Sequence, residues 1–139
     1  MHNLKVLLVE DDMIEVMKLT RAISTLQLPH KIIEASHGEA ALELLEQDKL
    51  NPDLILLDLN MPKMNGIEFL KNIKNNIHLN YIPIIIFTTS SNPRDLQEVY
   101  RIGISGYILK PLKYEDYVEK IDSLFKYWNI NELRNSKFQ

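Results

Sequence analysis

The stretch Asp53-Leu54-Ile55-Leu56-Leu57-Asp58-Leu59-Asn60, residues 53–60, decides how the rest of the chain is read. Large aliphatic residues stand in a row, without the apolar–polar alternation of a strand that has one wet face. Such a short, uniformly apolar run suits a strand buried on both faces, as inside a parallel sheet covered by helices. An acid, Asp58, then emerges at the strand's C-terminal end.

Four more runs of the same kind flank it, at 4–9, 31–35, 83–87 and 106–109. The run at 31–35 is the least apolar and is expected nearest an edge. Amphipathic stretches of helical length lie between and after them. In the first, Ile14, Met17, Ala22 or Ile23 and Leu26 are expected along the buried face. The second (39–47) groups Ala40, Ala41, Leu44 and Leu45, and the third (66–75) groups Ile67, Phe69, Leu70 and Ile73. The fourth follows Pro93 with Leu96, Val99 and Tyr100. The fifth (114–127) carries Tyr117, Val118, Ile121, Leu124 and Phe125. Strand then helix, five times over at about 25 residues per unit, is close to a βαβ building block. It predicts an α/β fold, doubly wound, with a parallel sheet and right-handed crossovers.

The chain has 139 residues, 45% of them apolar and 25% charged, which suits one compact domain. We expect that domain over 1–127, with 128–139 a C-terminal tail or helix extension and no output domain. There is no cysteine, which excludes disulfide scaffolds, thiolate zinc sites and cysteine nucleophiles. No signal peptide or run long enough to span a bilayer is present, so a cytoplasmic, membrane-free protein is expected. With 16 Lys+Arg against 19 Asp+Glu the formal net charge is −3, no footprint for nucleic acid.

In open α/β sheets ligands bind beyond the carboxyl ends of the strands. The first run is followed by Glu10, Asp11 and Asp12, and the third by Asp58, Leu59 and Asn60. The fourth is followed by Thr88 and Thr89, and the fifth by Lys110 and Pro111. The second offers only Ser36 and His37. Singly, each has an ordinary structural reading: Asp12 a helix N-cap, Asp58 a turn residue, Thr88 a β-branched strand end, Lys110 a solvated lysine. Together, acid, acid, hydroxyl and amine meet on one rim. Carboxylates of Glu10, Asp11 and Asp58 in one place require a proton or a cation. Hard oxygen donors with room for water describe Mg²⁺. A carboxylate also serves as a nucleophile, giving an aspartyl-phosphate, with Lys110 and Thr88 to meet the phosphoryl oxygens. Asp58, on the central strand, is the best-placed acceptor.

Rival chemistries lack their residues. Neither GxGxxG nor GxxxxGK[ST] occurs, and Glu-Asp-Asp after the first strand repels a flavin phosphate. An aspartyl phosphatase of the haloacid dehalogenase type needs a second Asp where Asn60 stands. A GxSxG elbow is absent.

Glu10-Asp11, Asp58, Thr88 and Lys110-Pro111, with their spacing, resemble the receiver domain of two-component response regulators over residues 4 to about 125. The resemblance implies a flavodoxin-like (βα)5 fold with strand order 2-1-3-4-5. It implies Asp58 as phosphoacceptor and Mg²⁺ held by Asp11, Asp58 and the backbone carbonyl of Asn60, with Glu10 acting through metal-bound water. Lys110 would pair with the phosphoryl group, and Lys110–Pro111 would be a cis peptide. Thr88 and Tyr107 would form a switch. The segment Met61-Pro62-Lys63-Met64-Asn65-Gly66 resembles the family's loop after the acceptor strand, with Gly66 free to take an unusual backbone conformation.

Leu28-Pro29-His30, residues 77–83, Thr88-Thr89-Ser90 and Tyr127-Trp128 resemble the stand-alone receivers associated with bacterial phytochromes. The implied partner is a sensor histidine kinase, of phytochrome type on this finer match, and output is expected through protein contacts of the fourth helix, fifth strand and fifth helix. The tail around Trp128 would either support a homodimer or, as the last turn of the fifth helix, simply pack down on its own chain. The alternative to a signalling endpoint is a relay that passes the phosphoryl group to a histidine phosphotransfer protein. A phosphorylation-independent module with vestigial acids is disfavoured by the intact acid–threonine–lysine set. No outside substrate is expected, so the chain would not be an enzyme beyond its own phosphorylation and dephosphorylation.

Overall fold

The computed structural model describes residues 3–61 and 64–134. Strands β1 (Lys5–Val9), β2 (Lys31–Ala35), β3 (Leu54–Leu57), β4 (Ile84–Thr88) and β5 (Gly106–Leu109) alternate with helices α1 (Met13–Thr25), α2 (Gly38–Glu46), α3 (Gly66–Lys74), α4 (Pro93–Ile102) and α5 (Tyr114–Asn129). The strands form one parallel sheet in the order β2-β1-β3-β4-β5. The weakest apolar run, β2, does lie at an edge.

Successive residues of the inner strands feed opposite layers. Leu7, Val9, Ile55, Leu57, Ile84 and Ile86 pack with α2, α3 and Val99 of α4, while Val6, Leu8, Leu54, Leu56, Ile85 and Phe87 pack with α1 and α5. Every residue of β3 is fully buried, which is why the stretch shows no alternation. Each such aliphatic side chain contributes about 1.5–3 kcal/mol on burial.

Two helices depart from the expected faces. On α1 the buried stripe is Val16, Leu19, Ala22 and Ile23, whereas Ile14 and Met17 are 68% and 65% exposed. A helix turns by about 100° per residue, so a stripe through residues 16, 19 and 23 leaves 14 and 17 on the other side. On α4 only Val99 is buried; Leu96 and Tyr100 face outward because this helix flanks the edge of the sheet at β5.

The fifth helix continues through Trp128 to Asn129, two residues past 127. Trp128 is 9% exposed and packs into the α1–α5 layer of its own chain. Beyond it, Leu133 packs against the same layer, and the Arg134 guanidinium stands 4.1 Å from the Tyr81 ring centre. Tyr81 in turn donates its hydroxyl to Asn51 Oδ1 at 2.7 Å. The segment therefore crosses the N-terminal end of the sheet, away from the acidic rim. Among the described residues, no helix is long and apolar enough to cross a membrane.

Candidate functional site

The register places the functional side chains. Val9 of β1 lies beside Leu57 of β3, so the next residues, Glu10 and Asp58, leave adjacent strands at one level. The Asp58 N–H donates to the Val9 carbonyl at 3.1 Å, which locks that level. At the far side Thr88 lies beside Leu109, and the Lys110 N–H donates to the Thr88 carbonyl at 2.8 Å. Asp12, as its composition suggested, caps α1: its Oδ1 accepts the Ile14 N–H at 2.9 Å.

A cleft of about 270 Å³ opens there, lined by Glu10, Asp11, Asp12, Glu15, Asp58, Asn60, Thr89 and Lys110. One ammonium faces five carboxylates. Oxygens of Glu10, Asp11 and Asp58 lie within 4.8 Å of one another, with Glu10 and Asp58 buried and Asp11 exposed. Lys110 Nζ donates to Glu10 Oε1, and Glu10 Oε2 accepts the Asp12 N–H at 3.2 Å. Burial pushes the Glu10 carboxyl up to about 7, Asp58 adding to the rise, while the hydrogen bond and charge of Lys110 pull it down. For Lys110, burial acts to lower its pKa, but Glu10, Asp58 and Glu15 outweigh it and hold the ammonium above its ordinary value. The local charge excess and the all-oxygen donor set fit a hard divalent cation.

Thr88 is fully buried, and its Oγ1 accepts the Ser90 N–H at 3.2 Å; it is Thr89 that lines the cleft. Tyr107 donates its hydroxyl to the Ser90 carbonyl at 2.7 Å, so Thr88 and Tyr107 both hold the backbone of one residue. His37 serves as the N-cap of α2, its Nδ1 accepting the Ala40 N–H at 3.1 Å, and takes no part in the cleft.

Two expectations are corrected. No cis peptide bond occurs among the described residues, so Lys110–Pro111 is trans. The trans form is the lower in energy for X–Pro, and in it the Lys110 amide and ammonium both already have partners. Nor does Gly66 need an unusual backbone, since Gly103 alone among described glycines has positive φ. At Gly66 a Cβ would overlap the Asp58 carbonyl oxygen and come 2.7 Å from Leu59 Cα. The glycine is there for close approach of α3 to the loop that begins at Asp58. Of the preceding loop segment, Pro62 and Lys63 lie outside the described residues.

The lining residue not anticipated from sequence is Glu15; Thr89 stands at the expected strand end, though nothing in the sequence assigned it a role of its own. Glu15 is the third residue of α1, in the first turn directly after the N-cap Asp12, which keeps its carboxylate beside the rim.

A family model described as the response regulator receiver domain matches residues 6–122. This chain belongs to that family. Response regulator Rcp1 of Synechocystis is 33% identical over 128 residues, spanning 88% of this chain and 87% of that protein. The probable methanogenesis regulatory protein FilR2 of Methanothrix harundinacea is 35% identical over 127 residues, spanning 88% of this chain and 82% of that protein. Among solved structures, the phosphorylated cyanobacterial phytochrome response regulator RcpA superposes with a TM-score of 0.89 at 29% identity, covering 96% of this receiver and 100% of that chain. The Mn²⁺-bound form of Rcp1 superposes at 0.83 with 30% identity, covering 98% and 99%.

Proposed function

We propose that this receiver accepts a phosphoryl group on Asp58, with Mg²⁺ as the cation, and signals through the resulting change in its contacts with other proteins. The observation that carries the reading is the placement of a buried Asp58 within 4.8 Å of two further carboxylates, in a cleft that also holds a buried ammonium. Glu10, Asp11, Asp58 and the backbone carbonyl of Asn60 would hold the cation. When bound, it supplies charge neutralisation for phosphoryl oxygens.

The remaining work falls to the chain. An Asp58 carboxylate oxygen forms the new bond to phosphorus while the donor's P–N bond (phosphohistidine) or P–O bond (a small acyl phosphate) breaks. The leaving group keeps the electron pair and is protonated if its basicity requires it. Lys110 releases Glu10 and donates to a phosphoryl oxygen. The Thr88 hydroxyl gives up the Ser90 N–H to meet another, which loosens the residue that Tyr107 holds. This supplies a bistable packing element biased by new charge.

The phosphodonor is a sensor histidine kinase, and the similarity to RcpA and Rcp1 supports one of phytochrome type. Exposed Met13 and Ile14 directly follow the rim, and Leu112 is fully exposed just beyond Lys110; both suit a protein donor. Output contacts run through α4, β5 and α5, where Leu96, Tyr100, Leu109 and Tyr127 are exposed. The chain turns over no outside substrate, and it works in the cytoplasm. Intact-mass measurement after acetyl phosphate treatment, with and without Mg²⁺, tests the reading. One phosphoryl group should be gained only with Mg²⁺ and not by Asp58→Asn; no gain in the wild type refutes it.

A further inference from the structure

Lys110 is held by two carboxylates, and the second, Glu15, lines the cleft without belonging to the cation-and-acceptor set. Its ammonium, on a side chain only 5% exposed, donates to Glu10 and lies 3.5 Å from Glu15 Oε2. That oxygen is buried and makes no hydrogen bond. The other Glu15 oxygen lies 3.7 Å from Lys18 Nζ, which in turn stands 4.7 Å from the centre of the Tyr117 ring. Glu15 is thus fixed between two ammonium groups, with an acceptor aimed at Lys110 and unfilled.

Glu10 cannot serve a cation and Lys110 equally well. When the cation takes Glu10, a buried ammonium loses its closest partner, and leaving such a charge unpaired is costly. We propose that Glu15 is a positioning residue that receives Lys110 as the cation takes Glu10, keeping the ammonium inside the cleft. The transfer needs only a short movement, from one carboxylate to a second already in range, and no proton changes place. This inference rests on the cation-and-phosphoacceptor reading above, and it concerns which residue keeps Lys110 available rather than which residue accepts the group.

A double-mutant cycle on the full chain tests it, with Mg²⁺ affinity measured by calorimetry for the wild type, Glu15→Gln, Lys110→Ala and the double variant. Glu15→Gln should weaken Mg²⁺ binding roughly three- to tenfold in the wild-type background, because displaced Lys110 has nowhere to go. In the Lys110→Ala background the same change should leave at most the small loss due to one fewer distant negative charge. An equal loss in both backgrounds, or none in the first, overturns the proposal. Should Lys110→Ala fail to fold, the ¹⁵N signal of the Lys110 ammonium decides. With saturating Mg²⁺ it should stay protected from water exchange in the wild type and lose protection in Glu15→Gln; equal protection in both overturns the proposal. Treating the same samples with acetyl phosphate separates the two readings. A wild type that binds Mg²⁺ but gains no phosphoryl group refutes the phosphoacceptor reading alone, whereas one that binds no Mg²⁺ refutes both.

Discussion

Asp58 and Lys110 could be read from the chain because each stands directly after an apolar run, and a parallel sheet delivers such residues to one edge. Glu15 could not be read that way. It lies within a helix, and only the turn of α1 brings its carboxylate within 3.5 Å of Lys110. Gly66 was legible as special but for the wrong reason: the constraint is the Asp58 carbonyl against α3, a contact between segments that no local pattern records. Gly66→Ala should therefore lower unfolding stability by about 1–3 kcal/mol in urea titrations, the usual cost of overpacking, and should slow phosphorylation by shifting the acceptor loop. His30 supplies a second test at this scale. It is 7% exposed, Nδ1 accepts the Leu4 N–H at 3.1 Å, Nε2 has no hydrogen-bond partner, and burial lowers its pKa below the ordinary 6.5. The unfolded chain takes up this proton more readily than the folded one. Stability should thus be full above about pH 6.5 and fall as pH drops from there toward the lowered folded value. His30→Asn, which keeps an acceptor, should flatten that pH dependence in urea titrations even if it is less stable throughout.

Among the elements, the strands were the most legible because both of their faces are apolar, and β3 is the extreme case. Leu56→Ala should cost about 2–5 kcal/mol of unfolding free energy, read from the shift in the urea midpoint. The helices were legible in extent but less so in rotation. Ile14 and Met17 look like core residues by composition, yet the sheet takes Val16 and Leu19 instead, leaving exposed apolar side chains beside the rim. The fourth helix shows the same mismatch more strongly, since Val99 is its single buried side chain. With so little burial to hold it, α4 should exchange its amide hydrogens faster than α3, which buries Phe69, Leu70 and Ile73. Equal protection of the two helices would contradict this view of α4.

At the scale of the molecule, a formal net charge of −3 conceals a strong asymmetry, because five acids line a single cleft with one ammonium. That concentration is tolerable in a folded protein if a cation is available. Mg²⁺ at a hundredfold excess over its dissociation constant should raise unfolding stability by roughly 2.7 kcal/mol, and Asp11→Asn should remove most of that gain. The opposite end of the sheet is closed by the segment that carries Leu133 and Arg134, which keeps structural and chemical ends apart. The central claim is that Asp58 is the phosphoacceptor. It is tested most directly by treating the receiver with acetyl phosphate and Mg²⁺, reducing the acyl phosphate with borohydride, and locating the altered residue by peptide mass mapping. The reduced residue should be Asp58; modification at Asp11 or Glu10 instead, or at no carboxylate, would contradict phosphoryl acceptance there.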